Sequence, residues 1–424
     1  MKGRWLRKLI VWAIGIAALG GIAVGAFFSA NLLRGKTGGP VQVVNAPTDV
    51  VAHGKYLAEA ADCAACHTAP GGAPFAGGLA MQSGFGTIYA TNITPDPDNG
   101  IGRWTADDFW RALHDGVRRV GQQLYPAMPY TSYRGMTRQD ADAIYAYLMQ
   151  LRPANVPNRT TELRFPFNIR LGMRGWNLLF LTDTLPAASV GHTPAWERGR
   201  YVVDVLGHCG ECHTPRGFLG QMELSRRMTG STLGRFEAPD ITPDGLASRG
   251  WIQAAVREFL GSGLVEEGSA FSDMHPVVML STRHLTANDL SKAATYLMGD
   301  RPPPPASLPD APVPADLAAT ASGRVTYVAL CAGCHGLSGE GVPNTVVPMR
   351  GNTTLRLANP RNLIVSMLDG IAAQSFPYLQ RMQAMPPFAD KLSDAQAAEL
   401  ANYLRVSFGG QKPDVTPATI RALR

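Results

Sequence analysis

All six cysteines of the chain lie in three copies of one pentapeptide, C-x-x-C-H. The copies are Cys63-Ala-Ala-Cys66-His67, Cys209-Gly-Glu-Cys212-His213 and Cys331-Ala-Gly-Cys334-His335. This spacing is the attachment signature of c-type haem. The two thiols form thioethers with the vinyl groups of one porphyrin, and the histidine binds the iron as its proximal ligand. The three motifs therefore predict three covalently attached haem c groups.

Two other uses of a C-x-x-C pair fit these residues less well. A structural zinc ion needs four ligands, so two motifs would have to pair and the third would stay unmatched. Thioredoxin-like redox chemistry uses a C-x-x-C pair without a following histidine, and it gives no reason for three copies. The sequence therefore favours haem at each site.

The sixth iron ligand decides between electron transfer and ligand binding. A methionine in this position closes the iron and favours electron transfer, whereas an open position binds small molecules. Each copy has a methionine-bearing loop before its last helix, and we predict Met128, Met274 and Met385 as the distal ligands of the first, second and third haem. The alternatives are Met136 at the first site, Met279 and His275 at the second, and Met382 and Met349 at the third.

A helix that begins at a hydroxyl N-cap is predicted after each methionine loop. The capping residue is followed three positions later by an acid or a glutamine, as in a capping box. The pairs are Thr137 with Asp140, Thr286 with Asp289, and Ser393 with Gln396. A shorter helical stretch with a tyrosine precedes each motif. We expect Tyr56, Tyr201 and Tyr327 in these stretches to pack between the first and last helices of each copy.

The composition is that of a folded protein with several domains. The chain has 424 residues, of which 45% are apolar and 17% charged, and this balance excludes a disordered chain. The length predicts two to four domains at roughly 100–200 residues each. The net charge of +6 is modest and no run of five or six like charges occurs, so nucleic acid is not an expected partner.

The amino terminus carries a targeting segment. Leu9–Phe28 is an uncharged apolar run without proline, and it follows Lys2, Arg4, Arg7 and Lys8. Twenty residues of helix span the hydrocarbon core of a bilayer, and the basic flank holds the amino end in the cytoplasm. We predict an uncleaved transmembrane anchor. The alternative is a cleavable signal peptide, whose best site, Ala23-Val24-Gly25, lies inside the apolar run. Both interpretations export the rest of the chain.

The order of helix, C-x-x-C-H, long loop, methionine loop and closing helix resembles the cytochrome c domain, present three times. The predicted fold is mainly α, with three tandem cytochrome c domains behind an amino-terminal transmembrane helix. The predicted segments are a cytoplasmic stub, anchor and tether (1–47), domain 1 (48–152), a linker with an apolar docking segment (153–189), domain 2 (190–300), a proline-rich linker (301–314), domain 3 (315–410) and a polar tail (411–424).

The chain resembles the triple-haem cytochrome c subunit of bacterial membrane-bound periplasmic dehydrogenases. The resemblance rests on DCAACHT, FAGGLAMQSGFGTIYATNITPDPDNGIGRW and LYPAMPYTSY in domain 1, on GHCGECHTPRG and a second ITPD at Ile241–Asp244 in domain 2, and on CAGCHGLSGEG in domain 3. It implies an electron-transfer subunit rather than an enzyme. A separate quinoprotein, flavoprotein or molybdopterin dehydrogenase would supply the electrons, and ubiquinone or a terminal oxidase would accept them.

The resemblance also implies a location and a set of ligands. The haem domains would face the periplasm from the inner membrane. Matched residue by residue, each haem would take two cysteines, one histidine and one methionine: Cys63, Cys66, His67 and Met128; Cys209, Cys212, His213 and Met274; Cys331, Cys334, His335 and Met385.

The sequence departs from this family in two places. Many members bind the membrane through a carboxy-terminal amphipathic stretch. In this sequence the carboxy-terminal tail is polar, and the predicted membrane anchor is at the amino terminus. Domain 2 also has GLASRGW where domain 1 has PDNGIGRW, so one loop is altered.

Two competing functions remain open. One is a haem enzyme, such as a peroxidase, with one open iron. The other is a mobile carrier without a dedicated partner.

Overall fold

The computed structural model describes residues 48–181, 191–309 and 314–424, together with Trp12 and Gly15. The predicted membrane anchor, Leu9–Phe28, lies outside the described residues apart from those two positions. Within the described ranges, no helix combines the length and the apolar character needed to cross a bilayer. Parts of both predicted linkers, residues 182–190 and 310–313, also lie outside the described residues.

The described chain is mostly helical and divides into two compact units. The first unit contains the residues up to Gly54 and those from Ala69 to Leu181. The second contains Lys55–Thr68 and the described residues from Gly191 to the end. The boundaries of the three cytochrome c domains, at 48–152, 190–300 and 315–410, stay a prediction.

Each copy of the motif has three helices in the expected order. The opening helices, which precede the motifs, are Thr48–Ala60, Pro194–Arg200 and Ala321–Leu330. The motif helices are Cys63–His67, Gly210–His213 and Ala332–His335. The closing helices are Arg138–Leu148, Ala287–Met298 and Asp394–Gly409. The second opening helix continues as a π-helix, Tyr201–Leu206, up to the motif.

Opening and closing helices are in close backbone contact at a glycine. A β-carbon added to Gly54, Gly199 or Gly323 would lie 1.9, 1.9 or 2.1 Å from a carbonyl oxygen of the closing helix. Those oxygens belong to Ala143, Lys292 and Glu399, and the β-carbon of the tyrosine four residues later (Tyr147, Tyr296, Tyr403) is also within about 3 Å of the added atom. Only a residue without a side chain allows the two helix backbones to come so close.

The closing helices begin at the predicted N-caps. The side-chain oxygens of Thr137, Thr286 and Ser393 accept hydrogen bonds from the backbone N–H three residues on, at 3.1, 3.1 and 3.2 Å. At Ser393 the box is complete, because Gln396 Oε1 accepts from the Ser393 N–H at 3.0 Å. At Thr286 the structure differs from the pattern. The Tyr56 hydroxyl accepts from the Thr286 N–H at 3.4 Å, and Asp289 binds Arg198 and Tyr56 instead.

Short helices and hairpins fill the loops. The other helices of the first unit are Ala106–Asp115, Tyr130–Tyr133 and Gly172–Phe180. Its sheet has the order Ala80–Ser83, Gly86–Tyr89, Glu162–Leu163, and both pairings are antiparallel. The apolar docking segment of the predicted linker 153–189 is the sequence WNLLFL at residues 176–181. It lies largely in the helix Gly172–Phe180, where Leu178 and Leu179 are exposed.

The second unit adds further helices and three two-stranded antiparallel hairpins. The α-helices are Pro243–Ala247, Gln253–Ser262, Met274–Leu280, Pro314–Ala319, Thr353–Arg356, Arg361–Asp369 and Pro417–Arg421, and the 3-10 helices are Leu224–Arg226, Thr282–His284 and Pro377–Leu379. The hairpins pair Ser231–Leu233 with Phe236–Ala238, Leu264–Val265 with Gly268–Ser269, and Gln374–Ser375 with Arg381–Met382.

The core of the third copy lies between its opening and closing helices. Tyr327 is fully buried, and its ring centroid lies 5.3 Å from that of Tyr403 and 5.4 Å from that of Phe408. The expected packing of this tyrosine between the two helices is therefore confirmed. Cys331 belongs to the same buried cluster, so the third motif faces this core.

Candidate functional site

The second motif lies at an apolar cavity within the second unit. The cavity is partly open to solvent, and its lining includes Cys209, Cys212, His213 and Met274. Most of the remaining wall is apolar, with Phe236, Trp251, Phe259 and Phe271 among its side chains. A wall of this composition suits an apolar ligand held in place by a few polar groups.

The His213 imidazole is oriented by a backbone carbonyl. Its Nδ1 lies 2.7 Å from the carbonyl oxygen of Pro239, and because a carbonyl can only accept, Nδ1–H is the donor. The other ring nitrogen, Nε2, is then unprotonated and can bind a metal. Burial lowers the pKa of His213, although the bond to Pro239 acts in the opposite direction. The ring is therefore neutral, as iron ligation requires.

A buried guanidinium also lines this cavity. Arg249 is only 5% exposed, and its Nη2 donates to the backbone oxygen of Asp240. Its Nε is buried and has no hydrogen-bond partner among the described residues. Burial lowers the pKa of Arg249 to about 10. A buried cation with an unused donor needs an acceptor, and the carboxylates of a haem would supply one. The residues of this cavity therefore fit haem c.

The methionine loop of the second copy presents one of its candidates to the cavity. Met274 is the first residue of the helix Met274–Leu280 and lines the cavity with the motif residues. His275, an alternative, has its Nε2 2.9 Å from the backbone oxygen of Ser375 at an exposed position. The His275 ring thus makes a hydrogen-bond contact elsewhere, and His275 does not line the cavity. The structure brings Cys209, Cys212, His213 and Met274 to one cavity.

The third motif has a histidine and candidate methionines in a comparable arrangement. His335 Nδ1 lies 3.3 Å from the Val347 carbonyl oxygen, and burial lowers the pKa of His335. Met385 and Met349 both pack against the buried cluster that contains Cys331. Met382 instead packs against a different cluster, formed by Ala270, Val278 and Phe376. The structure thus brings Met385 and Met349, but not Met382, to the core of the third motif.

The residues of the first site are divided between the two units. Cys63, Cys66 and His67 form a motif helix in the second unit, and Met128 lies in the first. Met128 is half-buried in a tight turn, where its N–H donates to the Tyr125 oxygen at 3.0 Å and its oxygen accepts from the Tyr130 N–H at 2.7 Å. Met136 is 3% exposed and contributes to the core.

The thiols have the properties expected of attachment sites rather than of redox catalysts. None of the six cysteines forms a disulfide. Burial raises the pKa of Cys209 to about 12 and that of Cys331 to about 11, whereas thioredoxin-like chemistry needs a lowered thiol pKa. Among the residues that the structure describes, no three His, Cys, Asp or Glu side chains cluster as metal ligands.

The sequence interpretation missed two kinds of site residue. The glycines at the helix crossings were not singled out, although Gly54-Lys-Tyr56 and Gly199-Arg-Tyr201 repeat the same pattern before the motif. Arg249 was also missed as a cavity residue. Its signal was the altered loop GLASRGW, which places an arginine two residues before Trp251.

Comparison with known proteins assigns both ends of the chain to cytochrome families. The family described as "Cytochrome c" matches residues 51–152. The family described as "Cytochrome C oxidase, cbb3-type, subunit III" matches residues 318–404. Both matched ranges contain a C-x-x-C-H motif, so covalent haem c follows from the family as well as from the residues.

Individual relatives cover most of the chain. It is 36% identical over 403 residues to the cytochrome c subunit of the quinone alcohol dehydrogenase of Gluconacetobacter polyoxogenes, with 90% of this chain and 86% of the relative covered. It is 36% identical over 412 residues to the fructose dehydrogenase cytochrome subunit of Gluconobacter japonicus, with 89% and 84% covered. It is 35% identical over 399 residues to the gluconate 2-dehydrogenase cytochrome c subunit of Pantoea cypripedii, with 88% and 89% covered.

The chain belongs to the family of cytochrome c subunits of dehydrogenase complexes. Members of this family transfer electrons, and they are named as subunits distinct from the catalytic ones. The predicted resemblance and the prediction that this chain is not itself the enzyme are therefore confirmed.

Proposed function

We propose that this protein carries three haem c groups and conducts electrons from a separate dehydrogenase subunit to ubiquinone or the respiratory chain. The observation that carries the proposal is the cavity lined together by Cys209, Cys212, His213 and Met274. The other two motifs repeat the same cysteine and histidine spacing. The haem domains lie on the periplasmic side of the inner membrane, and the segment Leu9–Phe28 holds the protein there.

The residues around the second site have separate roles in holding the haem. Cys209 and Cys212 would supply the thioether bonds, and His213 Nε2 and Met274 Sδ would be the iron ligands. Arg249 would donate to a haem carboxylate. The bound haem supplies a reversible one-electron couple between ferric and ferrous iron. The apolar wall excludes water, so little solvent has to reorganise when the charge on the iron changes.

The number of haems is tested by intact mass. We expect the purified protein to carry three haems, and Cys334→Ala to lose firm attachment at the third motif alone. Ser338→Ala, an exposed change four residues away, serves as the control and keeps all three. A Cys334→Ala protein with an unchanged haem complement would contradict the assignment.

The coordination of the irons separates an electron carrier from a haem enzyme. Methionine-closed ferric haems bind cyanide slowly or not at all, whereas an open iron binds it promptly. We expect no prompt binding in the native protein and prompt binding at one haem in Met274→Ala. Prompt stoichiometric binding at one native site would favour the enzyme interpretation.

The partner is tested by affinity purification from gently solubilised membranes. The relatives are named as subunits of alcohol, fructose and gluconate dehydrogenases, so we propose a dehydrogenase of an alcohol or a sugar-type substrate. A large quinoprotein, flavoprotein or molybdopterin subunit should copurify in stoichiometric amount. Recovery of the cytochrome alone under these conditions would favour the mobile carrier.

A further inference from the structure

We propose that the third cytochrome c domain completes the haem site of the second, so that the second haem's potential depends on a wall contributed by another domain. The inference rests on the proposed haem at Cys209, Cys212 and His213. The wall is the stretch from Asn352 to Asn362, which belongs to the predicted third domain and lies within the same compact unit as the cavity. We call this stretch the third-domain wall.

Five residues of the third-domain wall line the cavity: Asn352, Thr353, Thr354, Leu357 and Asn362. Thr353 is tied to the second domain twice. Its Oγ1 accepts from Trp251 Nε1 at 2.7 Å, and its N–H donates to the Glu267 oxygen at 2.7 Å. Trp251 itself lines the cavity. The hydrogen bond from Trp251 to Thr353 therefore lets a residue of the predicted third domain position an aromatic side chain of the second haem site.

Asn362 forms the second attachment point. Its Oδ1 accepts from the Glu237 N–H and its Nδ2 donates to the Glu237 oxygen, both at 2.8 Å. The strand Phe236–Ala238 thus pairs with an amide side chain as it would with another strand. Asn362 is 5% exposed and, like the three residues of that strand, lines the cavity. Loss of this side chain would leave two backbone groups of a cavity wall without partners.

Exposed polar contacts surround these two attachment points. Arg235 binds both carboxylate oxygens of Asp369, and Arg361 Nε donates to the Arg235 backbone oxygen at 2.9 Å. Arg356 Nη2 donates to the oxygen of Ala306, within the proline-rich linker, at 2.8 Å. Exposed pairs of this kind stabilise little by themselves, but here they accompany the partly buried hydrogen bonds of Thr353 and Asn362.

The potential of a haem depends on how much water reaches it. Ferric haem carries one more positive charge than ferrous haem, so a water-filled environment stabilises the ferric form and lowers the potential. If the third-domain wall excludes water from the second haem, then loosening it should lower the potential of that haem alone. A haem enclosed entirely by its own domain would not respond to such a change.

The chain offers a matched pair of variants. Asn402 in the third closing helix makes the same two-way amide contact as Asn362, since Nδ2 donates to the Val415 oxygen at 2.9 Å and Oδ1 accepts from the Val415 N–H at 2.8 Å. Both contacts lie within the third copy and its tail, and Asn402 does not line the cavity. Asn362→Ala and Asn402→Ala therefore remove equivalent contacts from the same region, but only the first opens the second haem site.

The test is a redox titration of the full-length haem protein that resolves the three haems. The second haem is identified as the component that disappears in a Cys209→Ala/Cys212→Ala variant. We expect Asn362→Ala to lower the reduction potential of that component. We also expect it to accelerate cyanide binding to that component about tenfold, which corresponds to a decrease of about 1.4 kcal/mol in the barrier to binding. Asn402→Ala should leave the second component at its native potential and binding rate.

Two outcomes would overturn the proposal. One is an unchanged second component in Asn362→Ala, and the other is an equal shift in both variants. If Asn362→Ala does not accumulate, Thr353→Val serves in its place, because it removes only the bond to Trp251 and is expected to shift the same component. If the Cys209→Ala/Cys212→Ala protein keeps its full haem complement, the haem assignment itself fails, and this result is distinct from failure of the wall.

Discussion

Arg249 shows how a single residue defines what the second cavity binds. A guanidinium with five donors is rarely buried without acceptors, and here the Nη2 group reaches one backbone oxygen while Nε reaches none of the described residues. The lowered pKa of Arg249 has the same origin, namely the loss of hydration in a largely apolar cavity. A buried haem carboxylate would satisfy the donor and neutralise the charge.

The charge of Arg249 should be measurable in the potential of the second haem. A nearby cation opposes the positive charge of ferric iron, so Arg249→Gln is expected to lower the potential of the second haem by about 60 mV, the equivalent of tenfold for one electron. Redox titration measures this. Arg226→Gln removes the same charge from an exposed arginine of the second unit and should give a much smaller shift. Equal shifts of the second haem's potential in the two variants would mean that the potential depends on the net charge of the protein and not on the position of Arg249.

At the scale of the secondary-structure elements, the opening and closing helices depend on the absence of a side chain at each crossing. Gly199 is the clearest case, because an added β-carbon would lie 1.9 Å from the Lys292 carbonyl oxygen. A local displacement of either helix backbone, large enough to make room for the β-carbon, would break hydrogen bonds within that helix. The repeated tyrosines of the closing helices pack next to these glycines, so the two helices fit as a pair.

Gly199→Ala should therefore destabilise the second unit. Overpacking of a tight interface costs about 1–3 kcal/mol, and this outweighs the gain in helix propensity of up to about 1 kcal/mol. Thermal unfolding of the haem protein measures the difference. Gly175→Ala is the control, since nothing lies within 4 Å of a β-carbon at that helical position and a neutral or stabilising effect is expected. Gly199→Ala with native stability would show that the crossing is not tight.

The helix Ala287–Met298 is also held by an ion pair that should give stability a pH dependence. Asp289 accepts from Arg198 Nε at 2.9 Å, from Arg198 Nη2 at 2.6 Å and from the Tyr56 hydroxyl at 2.6 Å. Burial alone would raise the pKa of Asp289, but these hydrogen bonds and the charge of Arg198 outweigh it and lower the pKa. The carboxylate is thus stabilised in the folded state.

A carboxyl group with a lowered pKa stabilises the fold above its unfolded pKa, near 3.9, and this stabilisation is lost as the pH falls through the folded value. Asp289→Asn should therefore reduce the free energy of unfolding at pH 7, and the difference from the native protein should shrink below about pH 4. Denaturant unfolding at several pH values measures this. Asp390→Asn, at an exposed position of the second unit, is the control. A difference that does not vary with pH would contradict the assigned role of the ion pair.

At the scale of the whole molecule, the haem is expected to be part of the core. The cavity at the second motif is lined mostly by apolar side chains, and these side chains would lose packing contacts if the cavity stayed empty. Domains of about 100 residues bury a small core, so a porphyrin between the helices supplies much of the apolar contact. Folding and haem attachment are therefore expected to be coupled.

Protein produced without haem attachment should fail to fold stably. We expect the full-length haem-free chain to lack a cooperative thermal transition by circular dichroism and to be cleaved rapidly by protease. The mature haem protein, measured under the same conditions, should unfold cooperatively and resist the protease. A cooperative transition of the haem-free chain, at a temperature near that of the mature protein, would show that the polypeptide packs its own core.

The amino-acid sequence by itself determined the covalent chemistry, because the spacing C-x-x-C-H is local and needs no partner from elsewhere in the chain. It also determined the N-caps of the three closing helices, since a cap and its acceptor are three residues apart. The family assignment followed from the same local motifs. The sequence did not choose among the distal methionines in the same way, because each loop holds several candidates at similar distances from the helix.

Tertiary structure alone decided which side chains meet across long separations in the chain. It placed Met274, rather than the ring of His275, at the cavity with the second motif, and it brought Arg249 and Asn362 to the same cavity. No local pattern links Asn362 to Glu237, which is 125 residues away. Hydrogen bonds and packing of this kind depend on how helices cross and loops return, and those geometries are set by the whole fold rather than by neighbouring residues.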